Sequence, residues 1–388
     1  MLRSFLVALC LAAPPALAQS GGVGFASSDG RVVVTVEPKI HADVRAFPGG
    51  PTGGSPGFLL RRARFELAAE IDGRYRVVLE PGFGEGEVEI LDGYVGAALG
   101  GGVEAQVGRF KTPVGYESLL SSSDLRFAER ALPTALSPRR DLGAMLTWEA
   151  EHVEAQAGLF NGVPDGSSAN RAWGAGPDAA ARVFARPGGP LDGLGVGVAV
   201  AAGTERGTDD EDDLADYETS GDRTFFDYAP GVRADGARLR LAPQATLDVG
   251  PLYVLGEWTL ARHRLAGPGG GDVTVAHRAW QAAASVVLVG EPQGAERPVP
   301  RRSLTAGGAG AVEVSARVHG LHVDPDAAPL AAAERAQRAL AWALAAHWSP
   351  VAAVRLGVTV ERTALDGFGD AAGPPDETLV VGRVQIDL

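Results

Sequence analysis

Long stretches of the chain alternate strictly between apolar and polar residues. From Arg31 to Ala46 one parity reads Val32, Val34, Val36, Pro38, Ile40, Ala42, Val44 and Ala46, and the other reads Arg31, Val33, Thr35, Glu37, Lys39, His41, Asp43 and Arg45. Successive side chains of a strand point to opposite faces, so this pattern predicts a strand with one apolar face and one largely charged face. It outruns the five or six residues usual in a globular sheet. Ala63, Phe65, Leu67, Ala69 and Ile71 then oppose Arg62, Arg64, Glu66 and Glu70. Asp72-Gly73 turns the chain into Tyr75, Val77 and Leu79, opposed by Arg74, Arg76 and Glu80. Asp-Gly between alternating runs marks a tight hairpin. Similar runs recur around residues 103–107, 153–159, 196–200, 237–241, 252–258, 312–318 and 354–360, and Val380, Gly382, Val384, Ile386 and Leu388 form one face of a final strand.

A charged face that repeats from strand to strand cannot be the packed interior of a soluble sandwich, because buried charges without partners are costly. A water-filled lumen accommodates it. The predicted fold class is therefore all-β, a transmembrane antiparallel β-barrel, and about 370 residues at roughly 23 per strand and connection give about 16 strands. One segment breaks the pattern. Residues 327–346 are Ala-rich and place Glu334 and Arg338 at i,i+4, which predicts a helical loop feeding a strand from about Gln337 to Trp348.

Residues 1–18 read as a secretory signal peptide, with Arg3, an apolar stretch from Ser4 to Ala13 and an Ala16-Leu17-Ala18 cleavage site, leaving residues 19–388 as the barrel domain. Cleavage would remove the only cysteine, Cys10, and leave 34 basic and 48 acidic residues, a net −14. No disulfide or thiolate chemistry is then expected. Residues 205–222 carry nine acids and one base, more than half of that net charge. Such a run predicts an exposed loop, outside any constriction and dispensable for the fold. Residues 109–140 are the opposite, with Arg109, Lys111, Arg126, Arg130, Arg139 and Arg140 against three acids.

Several motifs suggest chemistry and fail on inspection. Gly53-Gly54-Ser55-Pro56-Gly57 has the G-x-S-x-G form of a hydrolase, but Pro56 has no N–H for an oxyanion hole, and a Gly/Pro turn explains it. His319 and His322 lie at an odd spacing, on opposite faces of a strand, and residues 209–213 lack the glycine and terminal glutamate of a calcium loop. No metal, cofactor, enzymatic activity or nucleic-acid partner is expected. The arginines carry more. Lys39 and Lys111 are the only lysines, and Arg62, Arg64, Arg74 and Arg76 share the lumenal parity of adjacent strands. Guanidinium forks suit phosphate and carboxylate oxygens, so the stripe reads as an anion path. Alternatively, the same arginines pair across strands with Glu66, Glu70 and Glu80 and balance the wall.

Leu59-Leu60-Arg61-Arg62-Ala63-Arg64-Phe65-Glu66-Leu67, Val107 to Glu117, Ser121-Ser122-Ser123-Asp124, Ala128 to Pro133 and Ala311 to Arg317 resemble the phosphate-selective porin O and P family of Gram-negative outer membranes. The resemblance implies a 16-stranded barrel, a homotrimer in outer-membrane lipid and lipopolysaccharide, an inward-folded third loop that narrows the pore, and passive uptake of small anionic solutes such as phosphate. It matches Arg61-Arg62 to paired arginines beside the pore and residues 109–140 to the constriction loop. Parity points Arg62 inward and Arg61 outward, and the two agree only if a bulge intervenes. The chain departs from the family in having two lysines and a terminal Leu388 in place of an aromatic residue. The rival functions are a structural or surface-binding barrel, a less selective general porin, and an exported hydrolase.

Overall fold

The computed structural model describes residues 22–49, 53–169, 175–189, 191–208, 212–268, 271–332, 335–369 and 373–388; the signal-peptide reading of residues 1–18 lies outside them. Sixteen strands form one sheet: β1 (Val32–Ala46), β2 (Gly57–Ile71), β3 (Tyr75–Gly82), β4 (Glu89–Gly100), β5 (Val103–Lys111), β6 (Arg140–Ala150), β7 (Val153–Phe160), β8 (Asp178–Ala185), β9 (Leu194–Arg206), β10 (Arg233–Val249), β11 (Leu252–Ala266), β12 (Asp272–Val289), β13 (Ala311–His322), β14 (Arg338–Val351), β15 (Val354–Asp366) and β16 (Glu377–Asp387). Each pairs antiparallel with its chain neighbours. Pairing of β1 with β16, from Lys39↔Asp387 to Ala46↔Val380, closes the barrel and removes the open edge. A short strand that the sequence did not reveal, Val23–Ala26, pairs with Val33 to Val36 of β1. It occupies the part of that edge which β16 does not reach.

The burial of side chains is inverted relative to a soluble protein. In β1, His41, Asp43 and Arg45 are buried, while Ile40 and Val44 are exposed. In β13, Glu313, Ser315, Arg317 and His319 are buried, while Val314 and Val318 are exposed. Apolar residues on the outside and hydrogen-bonded charges on the inside suit a wall with lipid on one face. No helix among the described residues is long and apolar enough to cross a membrane.

The connections divide by length. Residues 72–74, 101–102, 151–152, 250–251 and 352–353 make tight turns at one end. Asp72 and Gly73 both take positive φ, 55° and 60°, as the hairpin signal requires, and the Arg31 guanidinium clamps the Asp72 carboxylate at 2.6 and 2.9 Å. The other end carries the long loops, among them 112–139, 161–177 and 207–232.

The expected helix shrinks to one 3-10 stretch, Pro325–Leu330, and Glu334 of the proposed i,i+4 pair lies outside the described residues. Two prolines limit that stretch. The Ala run beyond it is strand β14, whose Ala339, Ala341, Ala343 and Ala345 face inward because loop side chains, Phe127 among them, fill the lumen there.

Leu344 lies in the middle of β14 and is exposed to lipid. Leu344→Arg should destabilise the barrel by about 2–4 kcal/mol, read as a lower unfolding midpoint in lipid vesicles, with Leu344→Val close to wild type.

Candidate pore constriction

Loop 112–139 is tied at its neck: Thr112 N–H donates to the Arg139 carbonyl at 2.9 Å and Thr112 Oγ1 to the Pro138 carbonyl at 2.9 Å. From there it crosses the lumen to the opposite wall. A buried backbone needs partners for its N–H and C=O groups, and here wall side chains supply them. Arg355 donates to the Leu125 carbonyl (3.1 Å), Arg383 to that of Ala128 (2.8 Å), Arg317 to that of Glu129 (3.0 Å) and Gln385 to that of Ser123 (2.8 Å). The Glu257 carboxylate accepts from Tyr116 N–H at 2.5 Å. The loop therefore fills the lumen against β11–β16 and leaves space against β1–β6.

That space is a cavity of about 360 Å³. Eight cationic side chains line it, Lys39, Arg61, Arg62, Arg64, Lys111, Arg130, Arg139 and Arg140, against the carboxylates of Glu66, Glu80, Glu89 and Asp92. Both members of the Arg61-Arg62 pair are present because the strand is bulged. His41 of β1 pairs with Arg62 and Ala42 with Leu60, so Arg61 is the extra residue and turns inward. Loop 83–88 presses on the bulge, and a Cβ at Gly84 would lie 2.7 Å from the Arg61 carbonyl oxygen.

The cations are not equivalent. Arg61 makes a two-pronged bond to Glu129 (2.8 and 2.8 Å), Arg64 meets Glu80 (3.2 Å), and Arg140 grips Asp92 (3.0 and 2.8 Å). These charges are locally balanced. Lys111 instead donates to the carbonyls of Leu119 (3.0 Å) and Leu120 (2.8 Å), and Arg130 donates to those of Glu117 and Leu120. Carbonyls fix the positions of both without placing a carboxylate against either. Lys39 and Arg139 make no ion pair among the described residues. Burial lowers the Arg130 guanidinium only to about 10, so it remains charged at neutral pH.

Four predicted path residues do not line the cavity. Arg74 falls in the turn, 5.6 Å from the Tyr75 ring centroid, and Arg76 pairs with Glu66 at 3.2 Å, as the cross-strand alternative expects. Arg109 turns to Glu89 at 3.5 Å. Arg126 lies on the far side of loop 112–139, on the Tyr253 ring (4.2 Å) and against Glu313 (2.9 Å). It also donates to the carbonyls of Gly294, Ala295 and Glu296, the tip of a hairpin formed by Glu291–Gln293 and Glu296–Val299. Connection 290–310 is the long exception at the turn end. Its tip folds under loop 112–139, where Arg297 N–H donates to Asp124 (3.1 Å) and the Arg297 guanidinium to Asp387 (2.6 Å). Sequence inspection missed this support.

The acidic segment is also corrected. Asp209 to Glu211 lie outside the described residues, but the rest of loop 207–232 is not a free loop. Tyr217, Phe225, Phe226 and Tyr228 pack with Leu132 and Leu136 of loop 112–139 and with Ala261, Leu265, Val275 and Ala279 of the wall. Asp222 accepts from Arg45 at 2.5 Å. Charge density hid an aromatic anchor whose burial outweighs the cost of bringing the acids close.

Glu129 was not singled out from the sequence, yet Arg45, Arg61, Arg62 and Arg383 all converge on it, at 2.9, 2.8, 3.9 and 3.5 Å. Burial alone would raise its carboxyl, and the guanidiniums of Arg61, Arg62 and Arg383 overcome this and hold it well below the usual carboxylate range. Glu129→Gln should cost about 3–5 kcal/mol, because it leaves buried cations unpaired, and the unfolding midpoint should fall accordingly. Arg126→Ala should instead loosen the loop and its hairpin support, giving larger current fluctuations in planar bilayers with the sign of the ion preference unchanged.

No curated protein matches the sequence. Among solved structures, the outer-membrane channel DcaP of Acinetobacter baumannii superposes with a TM-score of 0.62 at 11% identity, over 94% of this chain and 99% of that one. The anion-selective porin of Comamonas acidovorans does so with 0.57 at 13%, over 92% and 100%. The trimer form of OmpT of Vibrio cholerae gives 0.56 at 10%, over 92% and 99%. At these identities the likeness is one of fold. A family model described as phosphate-selective porin O and P matches residues 34–387. The chain belongs to that family and is an outer-membrane porin, a channel and not an enzyme.

Proposed function

We propose that this porin passes small anions, phosphate among them, down their concentration gradient through the cavity between loop 112–139 and β1–β6. The observation that carries the reading is that Lys39, Lys111, Arg130 and Arg139 line the cavity with no carboxylate bound to them, while Arg61, Arg64 and Arg140 are balanced. Ions respond to charge at the narrowing and not to the net charge of the whole protein. At 0.15 M salt the screening length is about 8 Å, so acids at the mouth act weakly on an ion among the lining cations. Forked guanidinium donors suit tetrahedral and planar oxyanions, and several moderate sites in series favour passage over capture. The four wall carboxylates favour a second reading, a less selective general porin. A neighbour of the same fold is described as anion-selective, and another is described as a trimer form. In our reading this chain likewise works as a homotrimer, exported by a signal peptide cleaved after residue 18.

Replacing Lys111, Arg130 and Arg139 together with Ala should lower the chloride-to-potassium permeability ratio by roughly tenfold, and abolish inhibition of the chloride current by millimolar phosphate. Reversal potentials in planar bilayers measure the ratio. A ratio unchanged in the triple variant contradicts the proposal, and anion preference without phosphate inhibition confines it to unspecific anion passage.

A further inference from the structure

The lipid-facing parity of the strands is largely apolar, and charge enters it near the long-loop end. Near the long-loop end of β11–β15, three exposed arginines point outward: Arg262 on β11, Arg278 on β12 and Arg338 on β14. The register places Arg278, His322 and Arg338 side by side in one row across β12, β13 and β14, with Arg262 opposite Ala276, two residues nearer the loop end than Arg278. Both guanidiniums flanking His322 are close enough to act on its charge. None of the three arginines makes a hydrogen bond or ion pair among the described residues, whereas the neighbouring Arg264 and Arg362 are held by Asp272 and Asp376. The acids nearby are Asp324, whose carboxylate accepts from Ala276 N–H at 2.7 Å, the exposed Asp326 beside it, Asp366, opposite Arg338 in register without an ion pair, and Asp235, which acts on Arg264. Among the described residues the three guanidiniums therefore remain without a carboxylate partner.

Depth decides what meets it. One outward row nearer the turn end stand Trp258 and Trp280, paired across β11 and β12, and one row further stands Trp342. Tryptophan marks the boundary between hydrocarbon and headgroups. An unpaired arginine at the bilayer midplane costs about 2–4 kcal/mol and near the interface close to nothing. These three consequently sit at headgroup level, in the leaflet on the long-loop side. In an outer membrane that leaflet is lipopolysaccharide, whose lipid A headgroup carries phosphates. The backbones of Arg278 and Arg338 are two strand spacings apart, about 10 Å, the span of a phosphorylated disaccharide and more than that of one free anion.

We infer that Arg262, Arg278 and Arg338, with His322 between the last two, form a binding site for the phosphates of one lipid A headgroup on the outer face of β11–β14. The acyl chains would lie along the apolar rows beneath. The site is separate from the lumen and does not depend on which solute the pore passes.

Native mass spectrometry of the full-length protein in detergent, titrated with bisphosphorylated lipid A, tests it. The wild type should retain lipid A at least tenfold better than the triple variant Arg262→Gln, Arg278→Gln, Arg338→Gln, and should retain dephosphorylated lipid A no better than that variant does. Arg301→Gln, at the other end of the barrel, should match the wild type. Millimolar inorganic phosphate should not displace the lipid; full displacement would mark a free-phosphate site and overturn the inference. Equal retention of phosphatidylglycerol, or of the dephosphorylated lipid by the wild type, would also overturn it, and neither measurement requires a variant to fold.

Discussion

Each inner-wall guanidinium carries more N–H donors than the carboxylate beside it occupies, and the lumen is arranged by where that excess goes. On the β11–β16 side it goes to loop 112–139. Arg317, Arg355 and Arg383 each bind a wall or neighbouring carboxylate and also donate to a loop carbonyl. The loop's unpaired backbone and the wall's spare donors satisfy each other, which is why a 28-residue connection can lie inside a barrel without a sheet of its own. Glu129 at its centre joins arginines from β1, β2 and β16.

The β1–β6 side meets the same loop at Glu129 and at the carbonyls of Leu119 and Leu120, and a cavity remains beside these contacts. There the cations that find carboxylates are locally balanced, and the remainder line the cavity left between the loop and β1–β6. Filling and function are thus consequences of one asymmetry. The hairpin at 291–299 below and the aromatic anchor of loop 207–232 above support the same half of the lumen, through Arg126 and through Leu132 and Leu136. Loop 161–177 repeats the pattern on β10, where the Val163 carbonyl and Asp165 take up Arg240 at 2.7 and 2.6 Å.

Strand count and the Asp72-Gly73 hairpin were legible because period-two alternation has only one reading when the polar face is charged, whereas the inward loop was implied by the family resemblance. Arg61 was ambiguous: parity turned it outward, and a one-residue bulge leaves no periodic trace. Arg126 lies outside the cavity, on the far side of the loop, which a charge count over residues 109–140 cannot resolve. The acidic segment failed for a related reason, since its like charges were counted and the aromatics from Tyr217 to Tyr228 that anchor it were not. The hairpin at 291–299 has two strands of three and four residues, too short for alternation to register.

The central claim is that local, uncompensated positive charge in the cavity overrides a net-negative chain. The most direct measurement is the zero-current potential of the wild-type channel in a planar bilayer under a tenfold KCl gradient. The account predicts the sign that marks chloride as the more permeant ion, with the preference weakening as total salt rises. A potential of the opposite sign at low salt would contradict it, and would assign the cavity's ion preference to Glu66, Glu80, Glu89 and Asp92.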